Sequence, residues 1–250
     1  MAKTIPLVLF LVLAGCAPPQ ASDSPEDSSA AALSDAPARQ TVFLNFGGAR
    51  VHHGDCSDAP SNCSSLVSGT QDFQPFTLSD EFDRGETVAA VTKCVSEFYT
   101  DMNVRFVTDQ PSRGDYTMMV IGANYPTQLG FPEGGGPFGR APLDCDNSNR
   151  NDIGFILLQD DIRPDLYYTC RSIAHELGHS FGMLHTQGAA AYSSGRVDAM
   201  CDTDECHQRA ANGEPWDFVN AKMETESRAC DYTHRQNSYG ALLESLGVGR

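Results

Sequence analysis

The hydrophobic and polar positions of this chain change period several times, and each change marks an element. Thr41–Phe46 (TVFLNF) is rich in β-formers and alternates, which predicts a strand. Val88, Val91, Val95, Phe98 and Met102 recur at spacings of three and four, the apolar stripe of a helix that follows Ser79. Cys94 lies close to that stripe, where it can bond into the core. Shorter strands are predicted at Val104–Thr108 and Tyr116–Ile121. Ile153–Leu158 (IGFILL) is a continuous apolar run, the pattern of an inner strand. A second helix opens at Leu166 behind Asp165 as its cap. It carries Ile173, Leu177 and Phe181 on one side and stops at Gly182, a residue type that takes the left-handed conformation after a helix. A last short helix is expected over Ser238–Leu246. The stretch with Cys56 and Cys63 reads as a loop-rich insertion, and Gly130–Gly139 as a glycine-rich loop or irregular edge. The order strand, helix, strand, strand, strand, helix predicts an α/β (α+β) domain.

The N-terminus changes that picture. Ile5–Leu13 is apolar but too short to span a bilayer comfortably. Leu13-Ala14-Gly15-Cys16 follows and resembles a bacterial lipobox. The resemblance implies a signal peptide over 1–15 and lipidation of Cys16; a plain secretory signal cleaved nearby is the alternative. Ala17 after the cysteine favours, by the same resemblance, the outer membrane or cell surface. Residues 16–40 are Pro, Ser, Ala and Asp with little apolar content, a flexible tether. The folded domain is expected over 41–250, with an N-terminal part 41–185 and a C-terminal part 186–250.

Charge excludes one class of partner. The chain carries 33 acidic and 17 basic side chains, a formal net charge of −16, with no cluster of Lys and Arg to meet a phosphate backbone. Cysteine usage points outward from the cytoplasm. Beyond Cys16 remain Cys56, Cys63, Cys94, Cys145, Cys170, Cys201, Cys206 and Cys230, an even set that suggests disulfides in an exported chain. Sequence leaves their connectivity open; Cys56 with Cys63 and Cys201 with Cys206 are short-loop candidates. No C-x-x-C occurs, which disfavours a cysteine zinc site.

The densest chemistry is AHELGHSFGMLH, Ala174–His185. On a helix His175 and His179 lie one turn apart on one face, where both can reach one ion. Glu176 points about 100° away and can flank that ion without ligating it. Gly182 lets the backbone reverse, so that His185 can return to the same place. Three packed imidazoles without a metal would leave nitrogens unsatisfied. These residues resemble the metzincin clan of zinc endopeptidases, H-E-x-x-H-x-x-G-x-x-H followed by a methionine turn. The resemblance implies a metzincin-like twisted mixed sheet with a backing helix and an active-site helix, and a loop-rich, disulfide-bonded C-terminal subdomain. It implies one catalytic zinc on His175, His179 and His185, Glu176 as general base and acid, and Met200 (in VDAMC) as a hydrophobic base beneath the metal. It also implies an extended substrate lying on an edge strand between Gly130 and Leu143. Where some members carry a tyrosine two residues after the methionine, this chain has Asp202, and no cysteine-switch peptide is present.

The function so implied is hydrolysis of peptide bonds in extracellular proteins or peptides by a monomer that touches membrane only through its N-terminal lipid. A zinc-containing surface module for binding or adhesion is the alternative of another class, and a non-protein amide such as a cell-wall peptide is a further substrate. Asp144–Asp152 (DCDNSNRND) is dense in oxygen ligands, so calcium is possible, but the EF-hand spacing fails at its glycine and the stretch reads as a polar turn. His52, His53, His207 and His234 read as surface residues. Thr186–Ala199 holds no diagnostic pattern from which to read substrate preference.

Overall fold

The computed structural model describes residues 38–78, 82–123, 126–130, 139–158, 166–192, 195–226, 229–230 and 234–249. The expected signal peptide, Cys16 and most of the expected tether lie outside these residues, as do Ser79, Asp165 and the run 131–138.

A five-stranded mixed sheet forms the centre. Its strands are β1 (Gln40–Asn45), β6 (Val104–Val107), β7 (Thr117–Ala123), β8 (Gly139–Arg140) and β9 (Ile153–Leu158), in the order β6-β1-β7-β9-β8. The first four in that order run parallel, and β8 pairs antiparallel with β9 at the edge. The inner strands read as apolar runs because both sheet faces are covered. Side chains of alternate residues part to opposite faces. Val42, Leu44, Met119, Ile121 and Ile156 join one core, while Phe43, Met118, Val120, Phe155 and Leu157 join another.

The first face packs on two helices. Helix α1 (Arg84–Phe98) buries Val91, Val95 and Phe98 and starts at Asp83, whose side chain accepts from the Glu86 N–H. It begins later than the expected start after Ser79 and ends before Met102, which is buried beyond the last turn. Helix α2 (Leu166–Ser180) is buried along almost its whole length. Cys94 and Cys170 form a disulfide between α1 and α2 across 76 residues. Closing a loop of that size stabilises by about 4 kcal/mol on the chain-entropy account.

The second face is closed by what the sequence suggested was a loop-rich insertion. It is instead a small sheet of β2 (Ala49–His53), β3 (Ser57–Asp58), β4 (Cys63–Ser64) and β5 (Gln71–Phe73). Val51, Ala59, Val67 and Phe73 cover Phe155 and its neighbours, with Phe73 stacked on Phe155 at 4.6 Å. Strands of two or three residues carry too few alternations to be read as such from sequence. Cys56–Cys63 staples this sheet internally.

After α2 the chain is built of short pieces: β10 (Thr186–Gln187), β11 (Val197–Asp198), α3 (Asp204–Ala211), β12 (Trp216–Asp217), β13 (Met223–Thr225), β14 (Arg235–Gln236) and α4 (Ser238–Leu246). They are tied by the disulfides Cys201–Cys206 and Cys145–Cys230 and by the buried carboxylate of Asp198. Its Oδ1 accepts from Thr186 Oγ1, Ser238 Oγ and Met200 N, and its Oδ2 from Val219 N, at 2.8–3.1 Å. All eight cysteines among the described residues are bonded, so none of these is left to ligate a metal. Among the described residues no helix is long and apolar enough to cross a membrane.

Candidate metal centre and active site

The end of α2 builds the site. Gly182 has φ +92°, and Gly182 N–H bonds to His179 O while Met183 N–H bonds to Gly178 O. This is the paired closure of a helix that stops on a left-handed glycine. A Cβ there would also lie 2.6 Å from Cys145 O, so glycine is required twice over. The reversal brings His185 back over the helix. Its Nε2 lies 3.0 Å from His175 Nε2 and 3.0 Å from His179 Nε2.

Those nitrogens can be tested for a metal from their other partners. His175 Nδ1 lies 2.8 Å from Ala199 O, His179 Nδ1 lies 2.8 Å from Met183 O, and His185 Nδ1 meets the Glu226 carboxylate. Each acceptor takes the Nδ1 proton, so each ring turns a bare Nε2 lone pair inward. Three lone pairs facing one another repel unless a cation sits among them. A tetrahedral zinc at about 2.0–2.1 Å from each nitrogen gives nitrogen–nitrogen edges of about 3.3 Å, close to what is seen. Burial, and then the neighbouring positive groups, hold His175 well below the ordinary imidazole range. Burial, and then His185, bring His179 down to about 4. Neutral rings are the ligand form. Among the described residues this trio is the one group of three or more His, Cys, Asp or Glu side chains gathered closely enough for an ion.

Glu176 stands beside the trio and is nearly buried. Burial lifts its carboxyl to about 8, opposed by Arg171 and by a hydrogen bond from the Ala141 backbone. A cation on the histidines would draw it down again. The side chain lies against β8: a Cβ on Gly139 would come within 2.6 Å of Glu176 Cγ and 2.7 Å of Oε1. Gly139→Ala is therefore expected to push Glu176 aside and to cost about 1–3 kcal/mol of stability, read as a lower Tm in calorimetric unfolding; an unchanged Tm would contradict this packing.

Met200 is fully buried, with Sδ 2.3 Å from where a Cβ on Gly178 would sit, directly under the helix between His175 and His179. Two carbonyls that flank it are held by α2. Ala199 O meets His175, and Cys201 O accepts from Arg171 Nη2 at 2.6 Å. Arg171 was not singled out in the sequence, although it stands one turn before His175 on the same face. Its guanidinium lies over Trp216 at 4.4 Å and 3.7 Å from Asp202. Asp202 in turn accepts from His207 Nε2 at 3.1 Å. His207 is thus no plain surface histidine: α3 places it on the wall of a cavity of about 250 Å³ that His175 and Glu176 also line. His52 and His53 are exposed on β2. His234, at φ +59°, bonds to Thr225 O away from the trio. The Asp144–Asp152 stretch forms a turn in which Asp144 accepts from Asn149 N at 2.7 Å.

Glu226 was also missed, since nothing in sequence links it to a histidine 41 residues earlier. The β10–β13 pairing brings it there. Glu226→Ala is expected to weaken zinc binding about 10–100-fold, measured by competition with a chelating dye. Unchanged affinity would mean that the carboxylate does not orient His185.

No family model matches the sequence, and no curated protein matches it. Among solved structures, the chain is similar to high choriolytic enzyme 1, a hatching-enzyme zinc-protease from Oryzias latipes (medaka fish), at 17% identity and a TM-score of 0.26. The match covers 58% of this chain and 64% of that one, less than two thirds of its length.

Proposed function

We propose that the chain is an exported zinc-dependent endopeptidase. The observation that carries this reading is the convergence of three Nε2 lone pairs, each fixed by an Nδ1 acceptor, beside a nearly buried carboxylate that lies outside the ligand trio. A binding-only metal site has no use for such a carboxylate.

Zinc held by His175, His179 and His185 would supply Lewis acidity toward a water and toward the scissile carbonyl. Glu176 takes the proton from the attacking water, and its buried setting favours holding it. It then passes that proton to the leaving amine. The outer edge of β8, at Gly139–Arg140, offers backbone groups to an extended peptide, which sets the scissile bond above Glu176. Met200 and Arg171 keep the floor of the site in register with α2. The four disulfides fit an oxidising compartment, and a lipid on Cys16 would fix the domain to the envelope through its tether.

A casein zymogram with and without chelator tests the reading. A cleared band that chelator abolishes is expected. A folded, zinc-loaded protein that clears nothing, and cuts no peptide in solution, would leave a binding module instead.

A further inference from the structure

The cavity beside Glu176 bears on which peptides are cut. Glu176 delivers its proton to the leaving amine, so the residue that owns that amine must sit next to Glu176. Its side chain leaves the backbone one atom further on. The space open to it is the cavity of about 250 Å³, room enough for a long side chain.

The remaining walls of that cavity are Gly139 of β8, Tyr168, Arg171 and Ser172 from α2, and Asp202, Asp204 and His207 from the turn after Met200 and from α3. No aliphatic side chain lines it. An apolar side chain entering here would strip water from the carboxylates and gain in return only what Tyr168 and the imidazole rings offer. Ser172 Oγ is buried and has no hydrogen-bond partner.

The sign of the charge follows from which groups are already committed. Arg171 is only 4% exposed; its guanidinium is bonded to Cys201 O, covered by Trp216 and faced by Asp202. Its charge is answered inside the wall. Asp202 answers it and also accepts from His207 Nε2 at 3.1 Å, while remaining half-exposed to the cavity. Asp204 is exposed and has no ion-pair or hydrogen-bond partner among the described residues. Away from the end of the cavity that faces the metal ligands, the accessible charge with no counter-charge in the wall is therefore that of Asp204, and it is negative.

We propose that this cavity selects a cationic side chain, lysine or arginine, on the residue immediately after the scissile bond, with Asp202 and Asp204 as its acceptors. The proposal rests on the endopeptidase reading. Arg171 serves as the prop that holds Asp202 in place.

The test uses one peptide series that varies only that residue: lysine, arginine, norleucine and glutamate. Zinc-loaded wild-type protein is expected to show kcat/KM about tenfold higher for lysine than for norleucine, with glutamate lowest. Asp204→Asn should cut the lysine-to-norleucine ratio about fivefold, the worth of one partly exposed charge pair. Calorimetry on Glu176→Gln gives a second readout without turnover, and the lysine peptide should bind more tightly than the norleucine peptide. Equal or faster cleavage of norleucine or glutamate peptides would overturn the selection and leave the peptidase reading intact. No cleavage of any member would overturn the peptidase reading and this inference with it.

Discussion

Glutamine at position 176 is expected to lower kcat/KM for peptide hydrolysis about 10³-fold while zinc content and fold stay as in the wild type. The amide keeps the shape of the side chain and can still accept from the Ala141 backbone. It cannot take a proton from water at neutral pH. The three ligand rings are held through Nδ1 by Ala199 O, Met183 O and Glu226, none of which depends on Glu176. Loss of rate should therefore come without loss of metal. Steady-state kinetics beside metal analysis separates the two. A variant that cleaves at the wild-type rate with its zinc in place would remove Glu176 from the mechanism.

The largest effect on stability is expected at Asp198. Alanine there would strand four donors in the interior: Thr186 Oγ1, Ser238 Oγ, Met200 N and Val219 N. Each orphaned group costs about 1–3 kcal/mol, and partial relaxation leaves a net loss of about 4 kcal/mol. For a domain of this size that is a fall in Tm of about 10 °C. Burial raises the Asp198 carboxyl to about 6 even though four donors favour its charge, which shows how dry the site is. The loss would reach the metal centre too. Asp198 joins β10, which follows His185, to the turn that carries Met200 and to α4. Calorimetric unfolding checks the value; a fall in Tm under about 3 °C would mean the hub is not what holds these pieces together.

How legible was this architecture? The long periodic elements were, because their pattern is set by burial alone. Ile153–Leu158 is apolar throughout since helices cover one face and the small sheet the other. The stripe of α1 showed for the same reason, though Met102 continued it past the true end of the helix at Phe98. The small sheet did not show. Its strands have two to five residues, and β2 buries only Val51. The three histidines were legible because a helix face and one left-handed glycine fix their meeting point locally. Glu226 was not, because only the antiparallel pairing of β10 with β13 carries it to His185. His207 looked like a surface histidine, since its place depends on Asp202, Arg171 and Trp216, three residues from different elements. Lone polar residues gain their meaning from tertiary partners, and no period in the sequence records those.

On the proposed function, one zinc on His175, His179 and His185 carries peptide hydrolysis. Its most direct test is a zinc titration of chelator-stripped protein, following cleavage of a lysine-containing peptide. Cleavage should be absent at the start, rise in proportion to added zinc and level off at about one equivalent per chain, while His179→Ala stays inactive throughout. Full cleavage by the stripped protein, or restored cleavage in His179→Ala, would contradict it.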